Sequence, residues 1–350
     1  MTDLLAFTAE LVDIPSVSHH ERAITDRIEE LLRPVPWLDV ERVGDNLVAR
    51  TDGTGPRLLL AGHTDTVPPN DNERARLDGD VLWGLGSADM KSGVAVLSEL
   101  ARTVSQPAVA VTYVFYECEE VAARYNGIER LFAERPELLE ADAVILAEPT
   151  AALVEAGCQG TMRLVATFTG ERAHTARAWL GRNAIHALAP VLQRIVSYVP
   201  REVEIDGCRF REGVQAVLVE GGVAHNVVPD RAVLTVNHRF APDRTPAEAE
   251  AFARGLLAEA DEVDVTDMSV AAPPSLNHPL LASLARRVAQ PPNGKLGWTD
   301  VARFAARGIP ATNFGPGDPK VAHHREERVE RAQIERAFAI LRDLLVQGPE

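Results

Sequence analysis

Residues 57–65 read RLLLAGHTD, an apolar run that ends on His63 and Asp65. Four more segments offer metal-binding side chains, most of them where an apolar run stops. GLGSADMKSG (84–93) carries Asp89, and AVTYVFYEC (110–118) runs into Glu119 and Glu120. AVILA (143–147) runs into Glu148, and the loop NFGPGDPKVA (313–322) runs into His323. The strand-like runs are apolar on both parities, the pattern of strands covered on both faces in a parallel sheet. In an open sheet of that kind the carboxyl ends of the strands form the ligand crevice. Residues distant in sequence therefore meet at one rim, supplying two imidazoles and several carboxylates. That mix suits zinc, and with two ions it suits hydrolysis.

The flanking sequence predicts the rest of that domain. The first 33 residues read as two helices broken around Pro15, with Leu4, Leu5, Phe7, Leu11 and Ile14 on one face. LDVERV (38–43) and NLVARTD (46–52) read as strands, and KSGVAVLSELART (91–103) and GIERLFAE (127–134) as intervening helices. The alternation implies an α/β catalytic domain with a mostly parallel sheet covered by helices.

Near Gly160 the pattern changes. MRLVATFTGE (162–171) is an alternating strand, NAIHALAPVLQRIVSYV (183–199) a helix, and VQAVLVEGG (214–222) and RAVLTVNHRFAP (231–242) two strands. PAEAEAFARGLLAEA (246–260) is a helix opened by Pro246 after the N-cap Thr245, and DEVDVTDMSVAA (261–272) closes the set. This β-α-β-β-α-β order predicts a compact α+β domain with an antiparallel sheet inserted at 160–273, within a catalytic domain formed by 1–159 and 274–350. Beyond Pro273 and Pro274 the first pattern resumes, with helices at 280–289, 299–308 and 331–347 and a strand at 310–315.

Bulk properties narrow the function. The 350 residues carry 46% hydrophobic and 25% charged side chains, an ordinary globular composition. A formal charge of −15 argues against a nucleic-acid partner. Cys118, Cys158 and Cys208 are an odd three without CxxC spacing, so neither a disulfide framework nor a cysteine zinc site is expected. The start, MTDLLAFTAELVD, lacks the basic and long apolar regions of a signal peptide, and no run approaches a membrane span. A cytoplasmic protein without a membrane partner is expected.

Each candidate has an ordinary reading beside the functional one. His63 alone reads as a turn residue, but Asp65, two positions on, can face the same cavity and fix its tautomer. Asp89 alone reads as the N-cap of the helix that follows. Glu119 and Glu120 alone read as a solvated loop, yet adjacent carboxylates at a strand end repel unless a cation lies between them. Of His323 and His324, the residues themselves do not say which coordinates. Asp89, Glu120 and Glu148 contribute −3 against +4 from two Zn²⁺, leaving +1 beside the reacting atoms, with Glu119 spare to act as general base. The GxG at 84–86 lacks the later glycine of a dinucleotide fingerprint and any GK[ST], so nucleotide binding is set aside. His19, His20, His186, His238 and His278 read as structural or surface histidines, and Cys118 as a small buried apolar residue.

GHTDTVP, GLGSADMKSG, YECEEV, AEPT and HHREE resemble the dinuclear zinc amidohydrolase and exopeptidase superfamily, which includes aminoacylases and acetylornithine deacetylases. The resemblance spans essentially the whole chain. It is strongest to the actinobacterial succinyl-diaminopimelate desuccinylases, through GERAHTARAWLGRNAIH (170–186), HNVVPDRAVLTVNHRF (225–240) and GWTDVARF (297–304). It implies two zinc ions per subunit, for which cobalt can substitute. His63, Asp89 and Glu148 would hold one ion, and Asp89, Glu120 and His323 the other. Asp65 would support His63, and Glu119 would shuttle the proton. His174 would help hold the scissile carbonyl from the partner subunit of a homodimer formed through the inserted lid or dimerisation domain. Arg239 and Asn226 match substrate-contacting positions; Arg177 and Thr299 are further candidate contacts, and Arg182 a weaker one. The implied reaction removes succinate from N-succinyl-LL-2,6-diaminopimelate, in lysine and diaminopimelate biosynthesis. Alternatives are a deacetylase of N-acetyl amino acids, a dipeptidase, or a non-catalytic metal-binding homologue. The chain departs from the family pattern at Cys118 and Glu326, where many members have Asp, and at His225, where many have Asn.

Overall fold

The computed structural model describes residues 3–53 and 55–349. The chain divides into two compact units, one of Met1–Gly157, Pro274–Asn293 and Asp300–Glu350, the other of Cys158–Pro273 and Gly294–Thr299.

The first unit is built on an eight-stranded sheet. Its spatial order is Leu38–Val43, Asn46–Thr51, Ala110–Tyr116, Arg57–His63, Ala143–Leu146, Ala311–Asn313, Glu155–Ala156 and Asn293–Gly294. The four central strands, Ala110–Tyr116 through Ala311–Asn313, run parallel, and antiparallel strands flank them. Every residue of Ala110–Tyr116 and all but the first of Arg57–His63 are buried, as expected for strands covered on both faces. The helix Lys91–Thr103 is buried along nearly its whole length. The helices Leu4–Val12 and Arg331–Gln347 pack against it. At one sheet edge, Val43 pairs with Asn46 across a two-residue turn in which Gly44 is left-handed (φ 64°). A small sheet of Arg76–Asp78, Val81–Trp83 and Arg328–Glu330 was not foreseen, because three-residue strands leave no periodicity to read.

The second unit has a four-stranded antiparallel sheet in the order Gly213–Gly221, Arg231–Phe240, Gly160–Thr169, Glu262–Ser269. The helices Leu188–Val196 and Pro246–Leu256 share one core with it. That core includes Leu164, Phe168, Leu188, Val191, Leu234, Phe240, Ala249 and Ala253. Thr245 caps the second helix in a reciprocal box with Glu248. A hairpin of Glu202–Ile205 and Cys208–Arg211 is additional to the predicted set. Gly294–Thr299 joins this unit, whereas its sequence gave no reason to part it from the first. Lys295 O accepts from Gln159 N (3.1 Å), and Trp298 Nε1 donates to Val270 O (3.0 Å). Among the described residues no helix is long and apolar enough to cross a membrane.

Candidate metal centre

Three of the parallel strands end in candidate ligands. His63 closes Arg57–His63, Glu119 and Glu120 follow Ala110–Tyr116, and Glu148 follows Ala143–Leu146. Two neighbouring loops complete the rim. Asp89 precedes the helix Lys91–Thr103, and His323 lies in the loop before Arg328–Glu330. Close backbone approach lets these loops converge. A Cβ on Gly93 would stand 2.4 Å from the Ala147 carbonyl oxygen, and one on Gly317 (φ 83°) 2.8 Å from Ala88 Cα. Cys118 (φ 58°) and His323 (φ 63°) are left-handed without being glycine, a conformation that concentrates at functional sites.

The donor atoms form three overlapping triads, of which one is His63, Glu119 and Glu120 and the other two share Asp89. His63, Asp89 and Glu148 each offer one atom within 4.8 Å of the others, as do Asp89, Glu120 and His323. Asp89 belongs to both. One of its oxygens lies 3.1 Å from His63 Nε2, and the other 3.6 Å from His323 Nε2. His323 Nε2 also lies 2.8 Å from Glu120 Oε1. Asp89 is not the helix N-cap of its ordinary reading: the cap position is Met90, with no side-chain cap bond, and the Asp89 carboxylate turns to the two imidazoles instead. Of the two adjacent histidines, His323 enters the cluster, while the backbone oxygen of His324 accepts from Asn72 Nδ2 (3.1 Å).

His63 Nδ1 lies 3.1 Å from the Asp65 carbonyl oxygen and 3.4 Å from Asp65 Oδ1, so this nitrogen carries a proton and donates to Asp65. Nε2 then presents a lone pair to the Asp89 carboxylate. Two acceptors sit that close only with positive charge between them, a proton or a metal ion. The field of the site is strongly cation-seeking. Burial works against charge on His63, but Asp65 and Asp89 outweigh it and hold the imidazole pKa well above its usual value. His323 is raised to about 9, mainly by its bond to Glu120, with burial opposing and Asp89 adding. Two nitrogens and three carboxylates in triads that share one carboxylate fit a pair of divalent cations of the zinc type.

Asp65 is completely buried and holds the site together. Oδ1 accepts from the backbone nitrogen of Glu119 (2.9 Å), and Oδ2 from that of Glu120 (3.1 Å) and from Ser18 Oγ (2.7 Å). The Glu119 carboxyl lies among Asp300, Glu148 and Glu120. Burial pushes its pKa well above the ordinary carboxylate value, with His63 opposing and those acids adding. A carboxyl raised in this way is suited to taking up a proton and giving it back.

Three residues of the cluster's surroundings escaped sequence reading. Glu327 is buried, and its Oε1 accepts from the backbone nitrogens of Ala88 (2.9 Å) and Asp89 (3.0 Å). Lys91 is buried beside it, donating to Ile14 O at 2.8 Å. Ser18 holds Asp65. All are charged or polar residues in loops or at a helix start, and only their burial marks them. Cys118 is buried with its thiol on Glu21 (3.3 Å) and beside His19 Nδ1 (3.4 Å), and burial raises its pKa to about 12, so it is no nucleophile. A further carboxylate group, Glu21, Asp45 and Glu117, is held by protein partners. Arg130 bonds Glu117 (3.0 Å), Arg42 bonds Asp45 (2.7 Å), and Cys118 N bonds Glu21 (3.1 Å).

The second unit carries the remaining candidates. His174 is exposed, and its Nδ1 accepts from Ala176 N (3.0 Å), which leaves the proton on Nε2, pointing away as a donor. Asn226 is exposed on the adjacent segment, its backbone oxygen accepting from Thr175 N (3.0 Å). Arg177 is exposed at a kink (φ −134°, ψ 46°), Arg182 pairs its backbone with Glu171, and Arg239 is half-buried in Arg231–Phe240. Thr299 is buried, its carbonyl 3.7 Å from Cys158 Sγ.

This fold has known counterparts. The model of the peptidase family M20/M25/M40 matches residues 59–347. Over 355 residues the chain is 44% identical to a succinyl-diaminopimelate desuccinylase of Corynebacterium glutamicum, covering 98% of this chain and 96% of that one. Over 346 residues it is 48% identical to a Mycobacterium tuberculosis protein provisionally given the same name, covering 98% of both. A Bacillus subtilis structure, described as a dinuclear metal-binding peptidase of the M20 family, superposes with a TM-score of 0.72 at 16% identity, covering 97% and 96% of the two chains. The chain belongs to the M20/M25/M40 peptidase family.

Proposed function

We propose that the protein is a metal-dependent amide hydrolase that removes succinate from N-succinyl-LL-2,6-diaminopimelate, a step of diaminopimelate and lysine biosynthesis carried out in the cytoplasm. The observation that carries this reading is identity above 40% over nearly the full chain to proteins named as desuccinylases, with both ligand triads assembled at the rim formed by strand ends and neighbouring loops.

His63, Asp89 and Glu148 would hold one zinc ion, and Asp89, Glu120 and His323 a second, with cobalt an acceptable substitute. Bound there, such ions polarise an amide carbonyl and lower the pKa of water. Glu119 accepts the proton of the attacking water and returns it to the leaving amine, a task its raised pKa favours. Asp65 keeps His63 in the Nδ1–H tautomer and fixes the Glu119–Glu120 turn. The Nε2–H of His174 donates to the oxygen of the scissile carbonyl as it gains charge. Arg239, Asn226, Arg177 and Thr299 are the proposed substrate contacts.

The working form is a homodimer joined through the second unit. In support, its edge strand Gly213–Gly221 exposes Val217, Leu218 and Val219, each more than half accessible, and Trp179 is exposed on the same unit. The acyl group released from a panel of N-succinyl-diaminopimelate, N-acetylornithine and dipeptides tests the reading. Succinate as the preferred product supports it; a preference for acetate or for dipeptides would replace it with the deacetylase or dipeptidase alternative.

A further inference from the structure

Glu327 is a buried carboxylate, yet it belongs to neither ligand triad. It lies four residues after His323 on the same loop, and its own backbone is bonded both to the opposite segment and within that loop. Gly84 N donates to Glu327 O (3.0 Å), and Glu327 N to His324 O (3.0 Å). Its side chain then reaches across, so that Oε1 accepts the N–H of both Ala88 and Asp89 (2.9 and 3.0 Å). The turn that carries Asp89 is thus gripped from the loop that carries His323. These two side chains face each other, Asp89 Oδ2 to His323 Nε2, at 3.6 Å.

From this we infer that Glu327 is a positioning residue for the metal centre: it fixes the Asp89 backbone relative to His323 and so preforms the Asp89–Glu120–His323 triad. The inference rests on the metal reading of that triad. A carboxylate that serves through two backbone N–H groups depends on reach and on an acceptor oxygen, more than on its charge. Groups that orient ligands in this way are worth about 10–100-fold in metal affinity when removed.

Two substitutions separate reach from charge. Glu327→Gln keeps the side-chain length and an acceptor oxygen, while Glu327→Asp keeps the charge but falls one methylene short. Metal-free wild type and both variants are titrated with Zn²⁺ alone, reading stoichiometry and the two dissociation constants, with a thermal melt of each metal-free protein alongside. Expected are two ions in the wild type, Glu327→Gln within about 3-fold of it, and Glu327→Asp weakened by about 10–100-fold at the Asp89–Glu120–His323 site, with the other site, which also uses Asp89, weakened less. Glu327→Asp binding both ions as tightly as wild type would overturn the inference, whatever its melting temperature. So would equal weakening of both sites in step with a lowered melt, which is the signature of a merely structural residue. A wild type that takes up no zinc would instead sink the metal reading and this inference with it.

Discussion

Asp65 Oδ1 accepts the backbone N–H of Glu119 at 2.9 Å, although the two residues lie on different strand ends. A single buried carboxylate thereby sets the place of the general base, and through its other contacts those of Glu120 and His63. Asn at position 65 would turn an amide N–H₂ toward at least one of these donors. Asp65→Asn should therefore lower both kcat/KM and zinc affinity, each by about 10–100-fold. Steady-state kinetics and a zinc titration check this; a variant with wild-type values in both would remove Asp65 from the account.

Glu119 and Glu120 are neighbours with different proposed tasks. Glu119→Gln should keep two zinc ions and lose kcat by at least about 10²-fold, the usual scale of general acid–base help. Glu120→Gln should weaken zinc at one site, because Glu120 is the partner of His323 at 2.8 Å. Elemental analysis beside kinetics distinguishes them, and the opposite pattern would mean the roles are exchanged.

For His174, the amide of Ala176 leaves Nε2 as the donor. His174→Ala should retain both metals and lose about 10²–10³ in kcat, as for other oxyanion donors. If the residue serves the partner subunit, mixing inactive His174→Ala with inactive Glu119→Gln protein should restore partial activity in hybrid dimers. Fully exchanged hybrids without activity would confine His174 to its own subunit or exclude it from catalysis.

Acid should weaken the second unit through His238. This ring is fully buried against Phe240 and Phe252, at 5.7 and 5.2 Å between centroids. Burial lowers its pKa to about 4, with Glu212 opposing and Arg244 adding. The unfolded chain therefore binds a proton that the folded one refuses between the ordinary histidine value and about 4. Stability is complete above that window and falls as pH drops through it, by up to about 3 kcal/mol. Urea melts of wild type and His238→Leu from neutral pH down to about pH 4.5 check this, over the upper part of the window. The variant should lose less stability across the range, and parallel curves would refute the assignment.

Much of this architecture was readable in the chain. Runs such as 110–116, buried at every position, announce a covered parallel strand and locate its carboxyl end, and with it Glu119 and Glu120. The β-α-β-β-α-β order and the Thr245 cap were equally plain, because both depend on local pattern. What the pattern hid depends on contacts between remote segments. Glu327 and Ser18 look like surface polar residues until the fold buries them under Asp89 and Asp65. Asp89 alone reads as a helix cap; the set of five segments placed it among the ligands, and the structure turns its carboxylate to His63 and His323.

The central claim is desuccinylation at a metal centre, and the most direct measurement is kcat/KM of the zinc-loaded protein on N-succinyl-LL-2,6-diaminopimelate against N-acetylornithine, repeated after chelation and after zinc is returned. A site that pairs with the distal carboxylate of the succinyl group should favour it by about 10²-fold or more, since polar groups left without their partner are costly. Activity should vanish on chelation and return with zinc. Equal or better hydrolysis of the acetylated substrate, or full turnover in protein shown by elemental analysis to be free of metal, would contradict the account.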